Sequence, residues 1–475
     1  MKTSPSSRLL RVVCALAGGV ALCCVTGCAV RTPFVSPASH LPDTWTNGAI
    51  TATDGGGGAT LTPVVQALLS PDARLRGLLE QVESSNQEFT ASALKLHRAQ
   101  LQSGLADIAL WPQPTVGANM QRSRPLDSGA PTARSQGVNM ALAYEVDLWS
   151  RLGSERDMAQ WEARASAADR RNLRITLLAT AATLYFRLGL INEQIRANTA
   201  SLSNARRVLE LVQAQYTHGV ASALELAEAR QVVQSEQASA EQLVQLRVEA
   251  RNALGVLADG RDLSAYEPDG LPERAPPPAP AGLPAALLSQ RPDLQAAELR
   301  LRRSLAAVDA ARASFYPSLN LTLSGGSSSE DLRGMLSNPV GTLAASLALP
   351  FVNAERARLS TAVARTEFDE AVLVFQQSLL TAFAEVDNAL SAGVQLAREG
   401  THRQATLADA RTAERLYEAR YREGAVALRD WLAAQNKRRQ AEVALLENRQ
   451  ARLVNAVATL KALGIAMTMP VGERD

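Results

Sequence analysis

Two short stretches of the chain alternate strictly between apolar and polar residues, and each occurs with a partner. Val116, Ala118 and Met120 alternate with Thr115, Gly117, Asn119 and Gln121. After a loop holding Pro125, Gly129 and Pro131, Val138, Met140, Leu142 and Tyr144 alternate with Asn139, Ala141, Ala143 and Glu145. Farther on, Leu319, Leu321 and Leu323 alternate with Asn320, Thr322 and Ser324, and a return strand reads Thr342 to Leu349. A period of two with one apolar face predicts strands, so four strands in two hairpins are expected.

Elsewhere the pattern is helical. A run over about 75–111 stops at Trp111-Pro112, and no proline lies between Pro131 and Pro268 or between Pro350 and Pro470, which lets helices there continue unbroken. The run from about Gly153 to Thr217 would be on the order of 100 Å long. Beyond Gly219 another helix starts near Ser222. In it Leu226, Ala229, Val233, Ala240, Leu243, Ala250, Leu254 and Leu257 keep the three-four spacing of a coiled-coil seam. A helix of about 65 residues outruns one of about 36, whereas 75–111 and 222–257 laid end to end give about 73. The second half repeats the arithmetic, about 284–315 plus 427–464 against about 354–422. Each half is therefore expected to be a long helix flanked by two shorter, coaxially stacked ones, with a β-hairpin at one end and a helical turn at the other.

The halves match at a constant offset of 205: Asn86-Gln87-Glu88-Phe89 on Arg291-Pro292-Asp293-Leu294, Pro112 on Pro317, Arg151 on Arg356, Leu211 on Leu416, Tyr216 on Tyr421 and Gly219 on Gly424. A register held that far marks a duplication. Composition agrees: 83 Ala and 67 Leu against 20 aromatic residues in 475 favour helix over an all-β chain. Length alone allows two to four units. A mean hydropathy of −0.07 excludes a polytopic helical membrane protein. The charge balance, 49 basic against 47 acidic, offers no electrostatic footprint for nucleic acid.

The N-terminus reads as an address. Lys2, Arg8 and Arg11 precede an apolar stretch from Val12 to Val25, the pattern of an export signal. It ends Val25-Thr26-Gly27-Cys28, which resembles a bacterial lipobox. That resemblance implies acylation of Cys28 and, with Ala29 next, sorting to the outer membrane. Cys14, Cys23 and Cys24 fall in the removed segment, so no disulfide framework is expected. The resulting plan is a signal peptide over 1–27, a lipidated tether over 28–70, repeats over 71–265 and 285–465, a Pro-rich linker over 266–284 and a tail over 466–475.

No stretch after residue 28 reaches the roughly 18–20 uninterrupted apolar residues of a spanning helix; Ile175 to Ile191 is interrupted by Arg187. Any crossing must then be by strands, which traverse lipid only as a closed barrel. Four strands fall short of the smallest usual barrel of about eight, so copies must pool them. Two copies give eight, three give twelve.

The order of elements, the duplication, the lipobox, and Gly282-Leu283-Pro284 leading into Arg291-Pro292-Asp293-Leu294-Gln295-Ala296-Ala297-Glu298 resemble the TolC-type outer-membrane efflux channels, in the lipoprotein branch serving resistance-nodulation-division pumps. The resemblance covers about 60–465. It implies a mainly α fold with a small β-barrel part, a homotrimer with a twelve-stranded barrel and a twelve-helix periplasmic tunnel, and a passive conduit exporting small molecules such as drugs. It also implies partners in outer-membrane lipid, a periplasmic adaptor and an inner-membrane pump, and no cofactor beyond the lipid on Cys28. Adaptor contact falls to the hairpin tips, Tyr216, Gly219 and Ser222 in one half and Tyr421, Gly424 and Ala427 in the other. Asp430, with Glu225 as its counterpart, falls where some relatives place an acidic ring at the periplasmic gate; their second acidic position is Ala433 here.

Each feature also has a plainer explanation. A left-handed glycine ends a helix and a serine caps the next, and a helix-surface carboxylate beside Arg429 is ordinarily solvated. No enzyme is expected: His40, His97, His218 and His402 are scattered without metal-site spacing. The competing functions are a periplasmic adaptor or scaffold lipoprotein and a type I protein-secretion channel. The adaptor suits the sequence less, because it needs one helical hairpin and no lipid-facing strands.

Overall fold

The computed structural model describes residues 30–37, 68, 72–124, 132–273, 290–329 and 339–467. In chain order the elements are α1 (Ala73–Ser85), α2 (Gln87–Ile108), β1 (Gln113–Ser123), β2 (Ala133–Val146), α3 (Arg151–Thr217), α4 (Ala223–Leu257), α5 (Pro292–Ala313), β3 (Ser318–Ser329), β4 (Pro339–Ala348), α6 (Ala354–Arg422) and α7 (Leu428–Ala462). Short 3-10 turns lie at Ser264–Tyr266 and Pro350–Val352. The 205-residue offset recurs in the boundaries: α2 and α5 begin at 87 and 292, β1 and β3 at 113 and 318, and α4 and α7 end at 257 and 462. The two long helices have 67 and 69 residues.

The chain divides into two compact units. One contains the strands, in a single antiparallel sheet of order β1-β2-β3-β4. The two expected hairpins are thus joined through β2 and β3. Opposed residues share a face, and the register aligns Pro114, Leu142, Leu323 and Leu343 across all four strands. Val116 stands opposite Met140, and Tyr144, Leu321 and Ala345 form another row. The other face carries Thr115, Asn119, Asn139, Thr322, Ser324, Thr342 and Ser346. Val116, Met120, Met140, Leu323, Leu343 and Leu347 are exposed, and β1 and β4 are the sheet's two edges.

Residues 30–37, part of the expected tether, are held by side-chain contacts in this unit. Thr32 donates from its backbone N and its Oγ1 to the carboxylate of buried Asp309, at 2.8 and 2.7 Å. Arg31 pairs with Asp157 at 3.1 Å, and Phe34 lies under the Arg302 guanidinium. The expected signal peptide and Cys28 lie outside the described residues, as does the linker from 274 to 284.

The other unit holds the main apolar core. Leu75, Leu78 and Val82 of α1 pack with Leu178, Tyr185, Phe186 and Leu188 of α3, with Ala250 and Leu254 of α4, and with Leu453, Val457 and Leu460 of α7. The apolar part of α3 is long enough by length and composition to cross a membrane, but most of it is buried inside the protein. It is core, with Tyr185 Oη donating to Asp72, the residue that caps α1.

The helix expected over about 75–111 is in fact two. At Asn86 the backbone is extended (φ −65°, ψ 122°). The Asn86 side chain accepts from Phe89 N, capping α2, and its Nδ2 donates 2.9 Å to the carbonyl of Leu257, the last residue of α4. The element that follows α4 end to end is therefore α2 alone, while α1 packs aside in the core. In the second half Arg291 occupies the equivalent place. Its Nη1 donates 2.9 Å to the carbonyl of Ala462, the last residue of α7, and α5 starts at Pro292; residues 284–289 of the expected run lie outside the described residues.

Candidate functional site

At the first tip, α3 ends at Thr217 and Gly219 takes φ +74°. Val220 N reaches back to Gln215 O at 2.8 Å and Gly219 N to Tyr216 O at 3.0 Å. A Cβ added to Gly219 would meet nothing within 4 Å, so the backbone angle alone demands glycine. Ser222 caps α4 in a reciprocal box: its Oγ accepts from Glu225 N, and its N donates 2.7 Å to Glu225 Oε2. The Glu225 carboxylate is thus engaged by its own helix.

The second tip repeats the backbone and changes the chemistry. Gly424 has φ +73°, Ala425 N bonds to Arg420 O and Gly424 N to Tyr421 O. Ala427 occupies the cap position without a side-chain bond. Tyr421 stacks on Trp431 with ring centroids 5.2 Å apart, and its Oη donates 3.0 Å to Gln215 Oε1 of the first tip. Burial, and then the nearby negative charge of Glu225, push the Tyr421 hydroxyl above its ordinary pKa, so it stays a neutral donor. Val208, Val212, Leu226, Ala229, Leu428 and Trp431 form one small core joining the tips. Tyr216, the counterpart of Tyr421, is 42% exposed instead, beside exposed Val220 and Leu224. The structure therefore brings the two tips together but separates the roles of their tyrosines. Asp430 lies in the first turn of α7, partly exposed, 3.9 Å from the Arg429 guanidinium.

Sequence reading missed two polar sites. Glu236 sits in the seam of α4, at a position skipped because a carboxylate breaks the apolar spacing. It is 2% exposed, pairs with Arg439 of α7 and accepts 2.9 Å from Asn198 Nδ2 of α3. Arg291 is buried yet bonds to Asp293 (2.7 Å) and Glu385 (2.8 Å) in addition to Ala462. Burial pulls its guanidinium pKa down, but the bonds to Asp293 and Glu385 outweigh this and hold it above the ordinary value. For Asp293 burial raises the pKa, while Arg291 outweighs it and holds the carboxyl below its usual range. Among the described residues there is no cluster of His, Cys, Asp and Glu able to hold a metal.

A sheet with an exposed apolar face, attached to long helical hairpins that occur twice, calls for comparison with known channels. The sequence profile described as "Outer membrane efflux protein" matches residues 78–259 and 283–464, one repeat each. The chain belongs to the outer membrane efflux protein family. It is 31% identical over 421 residues to the pyoverdine export outer membrane protein OpmQ of Pseudomonas putida, covering 84% of this chain and 87% of the relative. Identity to the outer membrane protein OprJ of Pseudomonas aeruginosa is 29% over 448 residues, 92% of each. The crystal structure of the open MtrE outer membrane channel of Neisseria gonorrhoeae superposes with a TM-score of 0.78 at 27% identity, covering 93% of this chain and 99% of that one. The protein is an outer-membrane efflux channel; its family is one of channels rather than enzymes, and the adaptor reading is set aside.

Proposed function

We propose that three copies close a twelve-stranded barrel in the outer membrane and that their helices continue as a periplasmic tunnel. The observation that carries this is the sheet: one apolar exposed face, one polar face and two edges, β1 and β4, that pair with no further strand among the described residues. Unsatisfied edges cannot remain in lipid, and four strands are too few to close alone. The two edges differ, so each joins the unlike edge of another copy, and head-to-tail contacts of this kind close into rings. The flanking helices agree. Leu101, Leu105 and Ile108 stand exposed on α2 beside β1, and Leu359 and Val363 on α6 beside β4. Each copy supplies four helical columns, α3, α6, α4 with α2, and α7 with α5; three copies supply twelve.

In this reading Cys28 carries the lipid anchor. Both tips, Tyr216, Gly219 and Ser222 on the first and Tyr421, Gly424 and Ala427 on the second, dock a periplasmic adaptor that links to an inner-membrane pump. Asp430 supplies the acidic ring at the periplasmic gate and Glu225 serves mainly to cap α4. No cofactor takes part. OpmQ bears pyoverdine export in its name; this conduit is assigned small molecules delivered by its pump, because selectivity in such an assembly resides upstream. The test is conductance of the purified mature protein in planar bilayers with and without Asp430→Ala. The ring predicts altered cation selectivity or a raised basal conductance in the variant, and identical traces would return Asp430 to the solvated surface.

A further inference from the structure

Where the two repeats meet inside one chain, the turn from α5 into β3 sits on the turn from β2 into α3. Tyr316 stacks on Trp149 with centroids 4.9 Å apart, and Trp149 Nε1 donates 2.8 Å to the carbonyl of Pro317. The strand pair β2 and β3 fixes the two turns side by side. Shifted by the 205-residue offset, the same joint would bring the turn from α2 into β1 onto the turn from β4 into α6. Those two turns lie on opposite edges of the sheet, so no single chain brings them together through its strands.

The side chains at these outer turns are complementary. Trp111, the counterpart of Tyr316, is 70% exposed, an unusual cost for the largest apolar side chain. On the other edge Ala354 stands where the first repeat has Trp149, and Phe351 where it has Val146. Phe351 and Val352 are 53% and 81% exposed. Inside the chain the large indole comes from the α3 side. At the outer edges it comes from the α2 side, and the facing position has shrunk to alanine. Phe351 also lines a cavity of about 780 Å³ with Phe315, Pro317, Ala357 and Thr361, rimmed by Arg312, Arg358 and Arg365.

We propose that Trp111 of one copy seats on Phe351, Val352 and Ala354 of the next, so that the joint between copies repeats the joint between repeats. This rests on the reading of a ring closed by β1 and β4 edges. The occupant is a second copy of this chain. Lipid at the membrane interface, which also attracts tryptophan, is the competing occupant.

The test is cross-linking of the full-length lipoprotein in isolated outer membranes with a short bismaleimide. Cys28 is the only other cysteine expected in the mature chain, and its thiol is acylated in this reading. The pair Trp111→Cys with Ala354→Cys is expected to give linked dimers and trimers as the main species, each single variant none. The pair Pro112→Cys with Ala354→Cys leaves Trp111 in place and gives the same ladder even if the first pair assembles poorly. Trp149→Cys with Tyr316→Cys calibrates the geometry, giving a link within one chain. Trimers by native mass without linked species would overturn the seating and place Trp111 against lipid. Monomers by native mass would overturn the ring reading itself.

Discussion

The two repeats share the helix starts at 87 and 292 and the strand starts at 113 and 318, and differ in what fastens them. At the splice between successive helices the first repeat uses a neutral amide, Asn86, and the second a buried guanidinium, Arg291, each donating to the last carbonyl of the preceding column. At the tips the first repeat has a full capping box and an exposed tyrosine. The second has no cap but a tyrosine stacked on Trp431 and bonded across to Gln215. A duplicated fold thus keeps the backbone requirements that any copy must meet, such as glycine at φ near +74°. It varies the side-chain fastenings, and those hold Tyr421 while leaving Tyr216 exposed.

The largest effect is expected at the splices. Arg291→Met removes bonds to Ala462, Asp293 and Glu385 together, costing about 3 kcal/mol, the low end for breaking a buried pair, because both carboxylates are partly exposed and rehydrate. Asn86→Ala loses a cap and one bond, about 1–2 kcal/mol. Thermal unfolding followed by helix circular dichroism should rank them in that order; equal losses would erase the distinction. Acid should sharpen it. The Asp293 pKa is depressed in the folded protein, so its contribution is present above the ordinary carboxylate value of about 3.9 and is lost as pH falls through the lower folded value. The gap between wild type and Arg291→Met should narrow in that window.

A middle-sized effect is expected at the tyrosines. Tyr421→Phe removes the hydrogen bond to Gln215, about 1 kcal/mol, and should raise amide exchange across both tips, whereas Tyr216→Phe should leave exchange unchanged. Equal protection loss in the two variants would mean the tips are fastened alike. The smallest effect is at the caps. Ser222→Ala should cost about 1 kcal/mol and Ala427→Ser should regain part of that at the uncapped tip; a loss on adding serine would show that the second tip does not accept a cap.

Much of this was legible beforehand, and for definite reasons. Strands with one wet and one apolar face announce themselves by a period of two, and the β1 and β2 patterns around Val116 and Met140 gave both the elements and the face. The tip glycines announce themselves because φ near +74° excludes most other residues. The break at Asn86 was not legible. Asparagine inside a helical run is unremarkable until the carbonyl it serves, Leu257, comes from 171 residues away. Glu236 hid for a related reason: a carboxylate in a seam reads as a surface residue until Asn198 and Arg439 are seen around it. Nor did periodicity reveal that residues 30–37 are held by Asp309, because an extended segment has no repeating pattern to read.

The central claim is that the two edges of one four-stranded sheet are completed by other copies. The most direct measurement is the native mass of the mature protein extracted in detergent from purified outer membranes. The account predicts three chains per particle, hence twelve strands. A stable single-chain particle would contradict it, since β1 and β4 would then have to satisfy their edges without a second copy.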